Sequence, residues 1–549
     1  MKRSVTVLSL ALSIILTVTM IAGCSSSHKT DMIYTSSPAL NTSNSRASGG
    51  AAAPSSSPPG GAPYFADSEG AWRYAPVEDA EEYAYEPEST FKDVKTSPLS
   101  TFSADVDTAS YSNMRRCINM GIAPVGVRIE ELVNYFDYSY PAPDPGDEYP
   151  FSITTEVSVC PWAPEHLLTM IGIQGARLNN TESIANNIVF LIDVSGSMNS
   201  ANKLPLVIDS MKLLLGQLGE KDRISIVTYA GSERIVADSV PGSETRKLTR
   251  LIDGLSAGGS TAGAQGIKTA YSLAAKNFID GGNNRVILAT DGDFNVGESS
   301  VAALTKLIET EREKGVFISV LGYGMGNLKD DMMEAIAANG NGNYAYIDTL
   351  QEASKVLVDE FDSTMFTIAR DVKLQIEFNP VTVSSYRLIG YDTRRLENED
   401  FNNDLKDAGD IGSGHNVTAF YEIVPAGTEE SDDDADGVLI DPLRYSSIST
   451  TGSNEFMNVK IRYKEPDRQE SMLVEQVVGP EALKKRVSDN FVFASAVVEF
   501  GLIVTDSGYC EGSSVRSVLS RAKDALGDDA YGLRAEFLEL VRKYEKIIG

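Results

Sequence analysis

Residues 186–198, NNIVFLIDVSGSM, decide how this chain is read. The first eight are a short apolar run that closes on a carboxylate, the pattern of a strand covered on both faces. Asp193, Ser195 and Ser197 then leave one tight turn, with Gly196 giving the backbone room to bend between the two serines. The same grammar continues downstream. Leu204, Val207, Ile208, Met211, Leu214, Leu215 and Leu218 fall on one helical face. RISIVTYA (223–230), RVILATD (285–291), VFISVLGYG (316–324) and NYAYID (343–348) read as further strands. Amphipathic helices are expected around 264–279, 299–314, 328–338 and 351–365. Strands alternating with helices predict βαβ units and a mostly parallel, doubly wound α/β sheet.

In such a sheet, ligands bind beyond the carboxyl ends of the strands. Two other segments reach that edge. AGGSTAG carries Thr261 ahead of a helix, and ATDGD carries Asp291 at the close of a strand. Asp193, Ser195, Ser197, Thr261 and Asp291 supply hard oxygens and neither nitrogen nor sulfur. That donor set suits Mg²⁺, Mn²⁺ or Ca²⁺ rather than zinc or copper. The protein oxygens are too few to fill an octahedron, so waters and an external carboxylate would complete the shell.

The D-x-S-x-S of Asp193, Ser195 and Ser197, then Thr261, then Asp291 in TDG, resembles the metal-ion-dependent adhesion site of von Willebrand factor type A domains. The resemblance implies a Rossmann-like sheet of about six strands with helices on both faces. It implies that Ser195, Ser197 and Thr261 coordinate the metal, directly or through water. Asp193 and Asp291 would lie beside it, and a Glu or Asp from a protein partner would take the open position. TFSADVDTASYSNMRR and VRIEELVNYFDY before this domain, and LENEDFNNDLKDAGDIGSGHNVTAFYEI after it, are similar to a bacterial subfamily of type A lipoproteins. That likeness covers most of residues 98–549.

Outward from the α/β domain, the composition changes twice. FSITTEVSVC (151–160) and HLLTMIGIQGA (166–176) read as strands before it. DVKLQIEF (371–378), VSSYRLIGY (383–391), VTAFYEIV (417–424) and MNVKIRYK (457–464) read as strands of an antiparallel sandwich after it. Strands on both sides suggest that the α/β domain is inserted in a β-rich domain whose flanking strands pair. Residues 108–137 read as helical, as do 491–504 and about 530–547. The expected organisation is a signal segment at 1–23, a tether at 24–97, a flank at 98–184, the α/β domain at 185–366, a β-rich domain at 367–480 and a helical region at 481–549.

Lys2 and Arg3 precede an apolar stretch to Ala22, which marks a secretory signal. Its end, IAGC, resembles the lipobox of bacterial lipoproteins and implies cleavage before Cys24 and lipidation of that residue. Acyl chains at Cys24 would anchor the chain to a bacterial membrane on its extracytoplasmic side, at the cell surface or facing the periplasm. Residues 25–63 are rich in Ser, Ala, Gly and Pro and cannot order themselves by burial. Residues 67–93 hold nine carboxylates against Arg73 and Lys92, so the linker is expected to extend.

The whole chain has 48 Lys+Arg against 77 Asp+Glu, a net charge of −29 in 549 residues. That argues against a nucleic-acid binder, which needs clustered bases. No phosphate-cradling G-x-x-x-x-G-K-[ST] loop is present, so nucleotide turnover is not expected. Only His28, His166 and His415 are available, and Ser195 lacks a G-x-S-x-G elbow, so hydrolytic chemistry is disfavoured. Asp105-Val-Asp107-Thr108 looks like a phosphatase nucleophile loop but lacks an apolar strand before it; a turn or helix cap suits it better. Asp432 to Gly437 starts like a calcium loop but places Leu443 where Glu is needed. The reading is therefore a non-enzymatic, membrane-anchored binding protein. An envelope scaffold acting through its flanks is the alternative, and a metal-dependent hydrolase a remoter one.

Overall fold

The computed structural model describes residues 64–66, 72–74, 81–83 and 87–549, except 106, 145, 179–183, 260–262, 293–297, 428–451 and 467. Tyr64–Ala66 and Trp72–Tyr74 pair antiparallel in a unit of their own, separate from the body that runs from Pro76 to Gly549.

Within that body, Asn186–Asp193 is buried along its entire length. Its side chains alternate between two cores. Ile188, Phe190 and Ile192 meet helix Leu204–Leu215 on one face, while Val189 and Leu191 meet helix Gly263–Lys276 on the other. This is the physical basis of the continuous apolar run. The six-stranded sheet has the order Tyr344–Ile347, Val316–Tyr323, Asn283–Thr290, Asn186–Asp193, Arg223–Tyr229, Glu233–Pro241. All neighbours are parallel except the last pair, which is antiparallel. The fold is thus the expected Rossmann-like, doubly wound α/β domain with helices on both faces.

Two five-stranded antiparallel sheets build the β-rich part, and each draws strands from both sides of the α/β domain. Leu99–Ser103 pairs with Thr367–Phe378, which also carries Met457–Lys464. Phe151–Val159 and Leu167–Gly175 extend to Asn416–Pro425 and Val383–Ile389. Phe102, Ile171, Ile173, Leu374, Ile376 and Val417 interdigitate between the sheets. The α/β domain is therefore an insertion. A third core joins Ala109–Asn119 and Ile129–Val133 to Asp489–Val504, Val515–Asp524 and Leu533–Ile548. The expected flank at 98–184 and helical region at 481–549 do not stand apart. They share this core, since neither set of helices can cover its apolar face alone.

The expected tether also ends earlier than residue 97. Lys92–Asp93 adds to the second sheet, and Val94 is fully buried. Glu81 binds Arg116 and the Gly326 amide, and Ser89 Oγ donates to Asp392. The acidic composition that argues for an extended linker here supplies ion-pair partners instead.

Candidate functional site

Asp193 closes the central strand with its carboxylate buried. Its Oδ1 accepts the Ser195 amide at 2.8 Å, which fixes the turn that follows, and Thr290 Oγ1 donates to Oδ2 at 3.4 Å. The turn continues as a short 3₁₀ segment, Gly196–Asn199, pinned by Met198 in the core. Ser195 Oγ and Ser197 Oγ lie 2.9 Å apart. The neighbouring loop is clasped to this turn from both sides: Gly196 N donates to Gly259 O at 3.0 Å, and Gly258 N to Val194 O at 2.8 Å. That loop leads to Thr261, which lies outside the described residues.

Asp291 follows directly on the adjacent parallel strand Asn283–Thr290 and is likewise buried. Sequence reasoning missed its principal partner. Lys203 Nζ donates to Asp291 Oδ2 at 2.8 Å and to Asn327 Oδ1 at 2.9 Å. The aliphatic part of Lys203 crosses Gly324 (φ +77°), where a Cβ would stand 2.3 Å from Lys203 Cε. Gly292 (φ +93°) lets the chain turn beneath the Lys329 amide immediately after Asp291. The only signal for Lys203 was its place ten residues after Asp193, just before the first helix.

The two carboxylates differ in electrostatics. Burial pushes Asp193 up to about 6, with Asp291 adding repulsion, while its hydrogen bonds with Ser195 and Tyr229 pull it down. Burial also raises Asp291, but Lys203 outweighs it, with Asn327 and Ser197 contributing hydrogen bonds, so Asp291 lies below the usual range. Tyr229, buried beside Asp193 and Thr290, is held well above its ordinary value by burial and by the Asp193 charge. Of these two buried carboxylates, Asp291 holds the Lys203 ammonium and Asp193 has no ion pair among the described residues. The deficit of positive charge and the all-oxygen donor set fit a hard divalent cation. Among the described residues no three His, Cys, Asp or Glu side chains are grouped as a metal cage, since hydroxyls make up the rest of this site.

The weaker candidates have other tasks. Thr108 precedes helix Ala109–Asn119 but gives it no side-chain cap. Asp107 instead accepts the Tyr344 amide at 2.7 Å and, with Asp105, pairs with Arg394. His166 Nδ1 lies 2.6 Å from the buried Glu422. Asp432 to Gly437, and Cys24, lie outside the described residues.

These features define a von Willebrand factor type A domain, and the family profile of that description matches residues 187–360. Residues 77–170 match a profile described as von Willebrand factor, and residues 363–547 one described as uncharacterized protein YfbK, C-terminal. The uncharacterized protein YfbK of Escherichia coli (strain K12) is 43 % identical over 464 residues, covering 82 % of this chain and 78 % of the relative. The chain belongs to the YfbK family of bacterial type A domain proteins. Human inter-alpha-trypsin inhibitor heavy chain H2 is 24 % identical over 212 residues, covering 37 % of this chain and 22 % of that protein. Among solved structures, von Willebrand factor type A from Catenulispora acidiphila is 14 % identical and covers 73 % of this chain and 91 % of its own, with a TM-score of 0.39.

Proposed function

We propose that this chain is a non-enzymatic, lipid-anchored protein of the extracytoplasmic face that captures a protein partner at a metal-ion-dependent adhesion site. The observation that carries the reading is the meeting of Asp193, Ser195, Ser197 and Asp291 at the carboxyl ends of two adjacent strands, with one lysine for two buried carboxylates. Asp193, Ser195, Ser197, Thr261 and Asp291 would hold the ion, Mg²⁺ in the first place and Mn²⁺ or Ca²⁺ as substitutes. When bound, a divalent cation supplies a Lewis-acid bridge to a Glu or Asp carboxylate of the partner. Asp193 orients the turn by accepting the Ser195 amide, so the two serine hydroxyls stay on the same side. Lys203 holds Asp291 ionised and in place. The IAGC sequence ending at Cys24 supports the lipid anchor.

The test is affinity recovery of envelope proteins with the full chain, in Mg²⁺ and in EDTA, beside the Asp193→Ala and Ser195→Ala variants. Recovery should need Mg²⁺ and fail in both variants. Equal recovery in chelator refutes the metal bridge.

A further inference from the structure

A cavity of about 320 Å³ opens at the end of the type A domain opposite the adhesion site, a volume at the lower end of small-molecule pockets. The inserted domain, the segment around Asp105 and the strand Gly409–Gly412 all line it. Most of its charges are committed. Arg394 pairs with Asp105 and Asp107, and Asp407 pairs with Arg312. Besides the exposed Asp137, two residues of opposite sign have no ion pair among the described residues.

Arg285, near the amino end of strand Asn283–Thr290, is 1 % exposed. It lies about six residues before Asp291, on the order of 20 Å along the strand. Its Nη1 donates to Ser319 Oγ at 2.7 Å, and its guanidinium rests 5.5 Å from the Phe317 ring centre. Among the described residues, no carboxylate lies at ion-pair distance from it and its Nε has no hydrogen-bond partner. A buried cation without a contacting counterion is costly, and burial lowers Arg285 to about 10 although Asp410 attracts it from a distance. Asp410 faces the same cavity and, among the described residues, accepts two long bonds, from the Asp371 amide at 3.2 Å and Asn341 Nδ2 at 3.3 Å. No cation pairs with it among the described residues, and burial with Asp371 and Asp407 nearby raises it to about 8.

We infer that this cavity is a binding site for a small zwitterion of the α-amino-acid class, its carboxylate on Arg285 and its ammonium on Asp410. An ammonium brought to Asp410 stabilises the ionised carboxylate there, and a carboxylate on Arg285 supplies a counterion in direct contact, so the ligand bridges two charges that attract each other only at a distance. Each end contacts a group that has no ion pair among the described residues. The site is separate from the adhesion site and stands whether or not metal binds there.

Calorimetric titration of the full chain with individual L-amino acids tests this, with acetate and methylammonium as probes of each charge alone. At least one amino acid should bind saturably, and both single-charge probes should bind roughly tenfold weaker or less. Arg285→Gln and Asp410→Asn should each weaken binding by roughly tenfold or more. Asp410→Asn is nearly isosteric, so it keeps the test decisive if the arginine variant does not fold. Absence of saturable binding overturns the inference, as does acetate binding as tightly as the amino acid. Unchanged affinity in both variants also overturns it.

Discussion

At the scale of single residues, the D-x-S-x-S turn was legible because it is compressed. Asp193, Ser195 and Ser197 lie within five positions, and Asp291 follows directly on a strand. Lys203 was not legible, because its role depends on a contact across 88 positions and on the close approach of Gly324. Replacing it with Met leaves Asp291 buried without its ammonium. The expected cost is about 3 kcal/mol, read by urea denaturation in EDTA. Millimolar Mg²⁺ should recover part of that loss by restoring positive charge, and no recovery would count against cation binding here. Glu130 gives a pH-dependent test at this scale. Burial, with Glu131 adjacent, raises it to about 7 from an ordinary 4.5. The folded value lies above the unfolded one, so ionisation opposes folding. Its contribution is fully present below about pH 4.5 and is lost as the pH rises through about 7. Glu130→Gln cannot ionise, so its stability relative to wild type should grow over that window by on the order of 3 kcal/mol. The slope against pH, from denaturation midpoints, is the quantity to compare.

Among elements, the parallel strands were readable, including the short edge strand Tyr344–Ile347, and the antiparallel edge strand was not. Glu233–Pro241 buries only Ala237 and Val240 and pairs through register shifts, so no apolar alternation marks it. The stretch read as one helix over 351–365 is three pieces: Leu350–Ser354, a π-helical turn at Lys355–Asp359, and Phe361–Met365. Tertiary anchors explain the break. Glu352 is drawn to Arg115 at 2.7 Å and to the Tyr135 hydroxyl at 2.6 Å, while Lys355 Nζ sits 4.3 Å above the Tyr135 ring. Arg115 also holds Asp348 at 2.5 Å and reaches Glu536 in the last helix at 3.2 Å. It thereby pins the end of the inserted domain to the helical core. Arg115→Leu strands two buried carboxylates and should cost about 3–5 kcal/mol. Hydrogen exchange should locate the loosening in 348–365 and 533–548, with the strands around Asp193 unchanged. Uniform loss of protection would argue that Arg115 supports the whole fold rather than this junction.

For the whole molecule, sequence patterning revealed an insertion but not how tightly it is held. Pairing of Leu167–Gly175 with Asn416–Pro425 follows from strands read on both sides of the α/β domain. Leu99–Ser103, which pairs with Thr367–Phe378 just ahead of Asp105, was not read as a strand, because its alternating serines and threonine hide its burial. What could not be read was the charged seam, because its members are isolated acids and arginines drawn from distant segments. Arg394, from the sandwich, pairs with Asp105 at 2.9 Å and Asp107 at 3.1 Å from the flank, and with Glu334 of the inserted domain at 2.9 Å. Arg128 reaches Asp330 at 2.6 Å and Glu334 at 3.5 Å, and Asp107 caps the Tyr344 amide. The seam carries more acids than bases, so each arginine neutralises several carboxylates and none can be spared. Burial, then repulsion from Asp105, already raises Asp107 well above its ordinary value. Inserted domain and sandwich should therefore melt together, as one calorimetric transition of the full chain. Arg394→Met leaves Asp105 and Asp107 without their guanidinium and should lower the junction by about 3–5 kcal/mol. The single transition should then split, with the inserted domain unfolding apart from the sandwich. Mg²⁺ affinity at the proposed adhesion site, at the other end of the sheet, should match that of the wild type. A single unshifted transition in the variant would mean that the paired strands alone couple the two parts and that the seam only fills the space between them.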